Sequence, residues 1–432
     1  MPNPKRTDRE RDLLSQASRL LPGGSLGNLR LSDEYAFVVA QGRGSRIWDV
    51  SGNEYVDYLL GSGPMVLGHA HPEVIAAAQE AMSKGTTFFT QNVYAIDLAQ
   101  RLVDAVACAE QVRFTSTGTE ATYNALRIAR AYRRRDKILK FEGGFHGMHD
   151  YSLMSLRPSG TTEFPAPEPS SAGIPKAVQD TVLVAPFNDL EAVSALIERH
   201  HDELAAVIVE PVQRVLTPRP GFLKGLREVT TRYDVPLIFD EIVTGFRLAY
   251  GGAQEFYGVT PDIAALGKVI GGGFPLAAVV GRKEIMDAYD ASTVPPAGFV
   301  PQIGTLNGNP VAAAAGIATL DIMRRPGTYE RYRQQGAKLR STLQRLLDEA
   351  EIPAVVSGDD VMFDVYFTDH AVTDYRSALD TDMTMKRVFD QTLLENGVLK
   401  SPDKLYVGIC HDDEDVDKTI RAFEAGVDAL RD

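Results

Sequence analysis

The chain has 432 residues, enough for two sizeable cores, and its 44% hydrophobic and 24% charged content with scattered Gly and Pro excludes disordered, collagen-like and coiled-coil classes. Its 58 acidic against 45 basic side chains give a formal charge of −13, which repels phosphate backbones and anionic lipid, so neither nucleic acid nor a membrane is expected as a partner. Cys108 and Cys410 are the only cysteines and lack disulfide or metal spacing, so no disulfide framework and no metal site is expected. With a polar stretch from Met1 to Asp12 and no apolar run of signal or membrane-span length, the expected location is the cytoplasm.

In chain order, residues 10–21 place Leu13, Leu14, Ala17, Leu20 and Leu21 at helical spacing before Pro22-Gly23-Gly24 stops the helix. Ser45 to Tyr58 alternates and turns at Ser51-Gly52-Asn53, which predicts an antiparallel hairpin. These pieces form an N-terminal segment, 1–64. From 65 to 320, helix and strand patterns alternate, which predicts a large α/β domain with a mostly parallel central sheet. Within it, Ala121, Ala125, Ile128, Ala129 and Tyr132 mark the inward face of one helix. Arg133-Arg134-Arg135 reads as its solvated end. Arg157 to Asp180 carries five prolines and no period, so it reads as a long ordered loop or lid. Three apolar runs follow, ending in Glu210-Pro211, Asp240-Glu241 and Gly267-Lys268. Phe222, Leu226, Val229 and Tyr233 between the first two complete a βαβ unit. Residues 321–432 predict a helix through Leu339, Leu343, Leu346 and Leu347, a strand over Val361 to Phe367, and a last helix through Val416, Ile420, Phe423 and Val427. With the N-terminal segment they make a smaller α+β domain built from both termini.

Ligands of open parallel sheets sit outside the carboxyl ends of the strands, so Glu210, Asp240 and Lys268 are expected to converge on one crevice. Thr117 with Glu120 forms a capping box, and Gly118 lets the backbone approach a ligand; the segment either only caps its helix or also binds an anion. Asp240 ends a buried strand and needs a cationic partner. It either caps the next helix, pairs with Arg247, or holds a protonated ring nitrogen. Lys268 is either a snorkelling structural lysine or an amine nucleophile. Phe145, in Phe145-His146-Gly147, either packs in the core or offers a face to a planar ligand. Gly304-Thr305 offers a hydroxyl in a tight loop, or is a plain turn.

Taken in order, these segments resemble the class III aminotransferases, most closely the subgroup containing glutamate-1-semialdehyde 2,1-aminomutase. The resemblance spans nearly the whole chain. It rests on Trp48 to Asn53, Gly68-His69-Ala70-His71-Pro72-Glu73-Val74, Thr117-Gly118-Thr119-Glu120-Ala121, Phe141-Glu142-Gly143, Ile238-Phe239-Asp240-Glu241, Thr244-Gly245-Phe246-Arg247, Gly267 to Gly273 and Gly304 to Pro310. It implies the fold type I architecture of enzymes that use pyridoxal 5′-phosphate (PLP), as a homodimer with shared active sites. Lys268 would carry the cofactor as a Schiff base and Asp240 would face the pyridine nitrogen. Thr117, Gly118 and Thr119 would bind the phosphate, Phe145 and His146 would lie against the ring with Glu210 and Val243 nearby, and Thr305 would reach the neighbouring subunit's cofactor phosphate. Arg30 aligns with the subgroup's substrate-carboxylate arginine.

Three positions depart from the pattern or divide it. The aminomutases usually carry Tyr where Phe145 stands. Ordinary class III transaminases often have Gln where Val243 stands, and Val243 sides with the aminomutase-like subgroup. Tyr406 replaces the Glu that in aminomutases faces the substrate's amino groups, and a phenol holds two nitrogens less well than a carboxylate. The expected activity is therefore amino transfer between an amino acid, β- or aryl-substituted substrates included, and a keto acid. An intramolecular aminomutase, an amino-acid racemase and a cofactor-binding protein without turnover are the alternatives.

Overall fold

The computed structural model describes residues 6–28 and 31–431. The chain forms two units: Pro72–Tyr329 with Ala371–Asp380, and Met1–His71 with Glu330–His370 and Thr381–Asp432.

The first unit is built on seven strands: β1 (Gln111–Thr115), β2 (Lys137–Phe141), β3 (Val182–Ala185), β4 (Leu204–Val209), β5 (Leu237–Glu241), β6 (Ile263–Leu266) and β7 (Ala277–Gly281). Their order across the sheet is β1-β7-β6-β5-β4-β2-β3. Strands β3, β2, β4, β5 and β6 run parallel, and β7 lies antiparallel between β6 and β1. Both faces are covered, which is why β4 reads as an unbroken apolar run with all six residues buried. Helix α1 (Gly118–Arg133) lays Ala121, Ala125, Ile128 and Ala129 into a core shared with Ala206, Ile208, Ile238 and Ala265. Small residues on that face let the helix sit close to the sheet. Tyr132 departs from the expected inward face: it is 39% exposed, and its hydroxyl donates to Glu284 at 3.2 Å. A phenol at the end of a helix keeps its polar tip wet, whatever its spacing.

Helix α2 (Phe222–Arg232) connects β4 to β5 and buries Phe222, Leu226 and Val229 as its spacing predicts, but it ends before Tyr233, which stands half-buried as the cap residue rather than on the inward face. The proline-rich segment is ordered by local contacts, including a bridge between Met154 and Pro169 and a short helix at Lys176–Gln179. Residues 371–380 return to this unit late in the chain. There Arg376 makes two bonds to the Glu142 carboxylate, at 2.8 and 3.0 Å, and stacks over Phe164 at 4.3 Å.

The second unit holds two small sheets. In one, the hairpin Arg46–Asp49 and Glu54–Asp57 turns where expected and pairs with Val398–Leu399. In the other, Met362–Tyr366 pairs with Val355–Asp359 and Leu405–Tyr406. The helix Asp413–Ala429 buries Val416, Phe423 and Val427. Among the described residues, no helix is long and apolar enough to cross a membrane. The architecture is α/β, with a mostly parallel sheet in the larger unit.

Candidate active site

Five chain segments leave the carboxyl ends of the sheet on one side: Ser116 to Thr119 after β1, Glu142 to Gly147 after β2, Glu210 to Arg214 after β4, the end of β5 with Ile242 and Val243, and Gly267-Lys268 after β6. Parallel strands discharge their loops at the same edge, so topology alone gathers these side chains.

Asp240 is 5% exposed. One carboxylate oxygen receives the Ile242 N–H at 3.1 Å, and the other lies 2.8 Å from His146 Nδ1. Burial pushes its carboxyl up to about 7, opposed by the Ile242 hydrogen bond and the charge of Lys268. Burial with nearby Lys140 drives His146 the other way, down to about 3, so its imidazole is neutral. A neutral ring that donates from Nδ1 to Asp240 leaves Nε2 as an acceptor, and among the described residues buried Nε2 has no hydrogen-bond partner. Arg247, the expected structural alternative for Asp240, is fully buried in the same unit, yet Asp240's close ionisable contact is His146.

Lys268 stands just past β6 in the left-handed region, φ +47°, where it opens a 3₁₀ turn through Gly271. Its charge is felt at Asp240, so the two side chains belong to one crevice. A lysine held in a strained backbone conformation is a position the fold fixes at some energetic cost.

The start of α1 shows the complete capping box. Thr117 Oγ1 accepts from Glu120 N, and Glu120 Oε2 accepts from Ser116 N and Thr117 N. The first N–H groups of a helix have no intrahelical acceptor, so those of Gly118 and Thr119 remain for an anion at the positive end of a sixteen-residue helix. A Cβ at position 118 would meet the Ile242 side chain at 3.1 Å, so a larger residue there would push that side chain aside by a few tenths of an ångström. Thr119 Oγ1 meanwhile accepts from Met148 N and so ties the helix start to the Phe145 loop.

Phe145 is 38% exposed, with its N–H donated to Glu210 at 2.8 Å. Glu210 thus holds the aromatic loop. Val243 is half-buried beside Ile242. Thr305 is exposed, and with Ser116, Glu120 and Asn307 it borders an open cleft of about 410 Å³. Tyr406 lies in the other unit, 2% exposed, with its ring against Gly63. Arg30 lies outside the described residues.

Three residues at the strand ends escaped the sequence reading. Lys140 is fully buried and donates to the carbonyls of Gly144, Ser152 and Met154 at 3.0, 2.9 and 2.5 Å, so one amine gathers both ends of the Phe145 loop. Burial brings it down to about 7. Gln213 donates to Glu142 O at 2.7 Å. Arg214 follows at the tip of a turn. Both follow the strand end that singled out Glu210; that signal could have found Gln213, whereas a lone arginine there reads as a surface charge.

PLP fits what is present: a buried carboxylate in need of a cation, a helix start with two amides to spare, a half-exposed aromatic face, and a lysine beside the carboxylate. The comparisons agree. The class III aminotransferase family model matches residues 30–425. Glutamate-1-semialdehyde 2,1-aminomutase of Methanocaldococcus jannaschii is 42% identical over 427 residues, covering 96% of this chain and 97% of that protein. An omega-transaminase from Sphaerobacter thermophilus superposes with a TM-score of 0.93 at 36% identity, over 98% of each chain. A transaminase solved with PLP bound gives 0.90 at 31%, over 99% of each. The chain belongs to the class III aminotransferase family, with the type I fold of PLP enzymes and PLP as its cofactor.

Proposed function

We propose that this enzyme relocates an amino group on a small amino-acid-type substrate within one molecule, in the manner of glutamate-1-semialdehyde 2,1-aminomutase. The observation that carries the PLP chemistry is the buried Asp240–His146 pair at 2.8 Å with Lys268 acting on it. Relatives named aminomutase, 41–42% identical over nearly their full length, support the intramolecular form. The second reading is transamination between an amino acid and a keto acid. It is favoured by Tyr406, which stands where aminomutases carry Glu, and by the omega-transaminase likeness.

Bound in this crevice, PLP supplies an aldehyde that condenses with amines and a ring that takes up the electron pair released at the substrate carbon. The remaining work falls to the chain. Lys268 would hold the aldehyde carbon through its amine and, when free, would move the proton at the substrate's reacting carbon. Asp240 would keep the ring nitrogen protonated, with neutral His146 fixing the carboxylate's orientation. The Gly118 and Thr119 amides, with Thr117, would hold the phosphate. Phe145 would pack against the ring, with Val243 nearby. Thr305 would serve the cofactor of a second copy, so the working form would be a homodimer. Two cysteines without a disulfide pattern fit the cytoplasm.

Incubation with glutamate 1-semialdehyde tests the first reading: 5-aminolevulinate forms without an added amino donor, and Lys268→Ala lowers the rate roughly a thousandfold or more. No 5-aminolevulinate, but stoichiometric keto acid from an amino-acid donor panel, would replace it with transamination. Failure of both reactions sinks both.

A further inference from the structure

Gln213 and Leu216 exchange two backbone hydrogen bonds, Gln213 N to Leu216 O at 3.0 Å and Leu216 N to Gln213 O at 2.8 Å. Arg214 and Val215 are therefore the two central residues of a tight turn. Arg214 has φ +62°. A positive φ at the first central position belongs to the primed turns, where glycine, asparagine and aspartate are the usual residues and an arginine is strained. The turn is firmly based, because Gln213 is 1% exposed and bonded to Glu142 O. The arginine head is less enclosed. It is half-buried, and its guanidinium carbon lies 5.2 Å from the centroid of the Phe145 ring. Among the described residues it makes no hydrogen bond or ion pair, although its charge is felt at His146 and Lys140.

A strained arginine on a rigid base, unpaired and resting on the aromatic ring beside the Asp240–His146 pair, is a cation set aside for something that arrives from outside. The cofactor's phosphate has its own place at the start of α1, after a different strand. We propose that Arg214 is a specificity-determining residue that binds the carboxylate of the substrate. A guanidinium fork suits that group in geometry and charge. The assignment rests on the amino-acid substrate class of the proposed function and adds to it an anchor within the larger unit. Strand-end position alone would not have distinguished Arg214 from a surface charge; the positive φ does.

The test uses holoenzyme and two probes that capture a protein-bound aldehyde, aminooxyacetate and its uncharged amide, with capture followed in visible absorbance. Arg214→Gly suits the turn, so it is expected to fold and to melt at or above the wild-type temperature. In it, the rate constant for aminooxyacetate falls about tenfold while that for the amide changes less than about twofold. Arg214→Lys retains part of the preference. An equal change for both probes, or none, overturns the role of Arg214 while reaction of the wild type leaves the proposed function standing. If neither probe reacts with the wild type, the proposed function falls with it.

Discussion

Asp240 and His146 sit 2.8 Å apart, and the same burial moves them in opposite directions, one up to about 7 and the other down to about 3. For Asp240 the folded chain binds a proton more readily than the unfolded chain. Folding stability therefore declines as pH rises from about 4 to about 7, and the loss is complete above that window. His146 acts in the opposite sense over much of the same range: between about pH 3 and pH 6.5 the unfolded chain takes up a proton that the folded imidazole refuses, so acid destabilises the fold through it. Asparagine at 240 can still accept from His146 Nδ1, so it isolates the carboxylate's share. Thermal melts of cofactor-free protein between pH 5 and 8 should show Asp240→Asn gaining on the wild type as pH rises, by a few kcal/mol at most. Parallel pH profiles would remove the buried-acid account. The placing of Asp240 and Lys268 was legible because each ends an apolar strand. The His146 partnership was not, since it joins residues 94 apart in the chain. Arg214 was missed because its signal is a backbone angle, which residue type does not report.

Among the elements, the loop after β2 shows how a site is held. Gly147 has φ +93°, and a Cβ there would lie 2.7 Å from Thr119 Cα. Lys140 and the Thr119–Met148 bond fasten the same loop to its own strand and to α1. Gly147→Ala should therefore disturb the Phe145 loop and the helix start together. We expect a stability loss of about 1–3 kcal/mol in denaturant melts and weaker PLP retention on gel filtration. A variant that melts early yet keeps its cofactor would uncouple the two. Strand and helix types were readable from period and punctuation, because buried parallel strands are apolar throughout and α2 repeats every turn. Tyr132 escaped, because spacing gives a side chain's direction and not the wetness of its tip.

At the scale of the whole molecule, residues 371–380 join the larger unit after the chain has passed through much of the smaller one. No periodicity announces this return; it is visible only in the Arg376 pairing with Glu142, a carboxylate itself 3% exposed. Arg376→Gln would leave that carboxylate buried with much weaker compensation. A loss of about 1–3 kcal/mol in denaturant melts is expected, and no measurable loss would show that solvent reaches Glu142.

Arg376 lies 234 residues beyond Glu142. On the ribosome, the β2 loop must therefore wait for more than half of the protein to be made before its clasp emerges. A chain cut short between residues 281 and 371 can lay down all seven strands of the large sheet and still leave that carboxylate without its cation. Synthesis order thus makes the loop beside the Asp240 crevice one of the last parts of the larger unit to be secured.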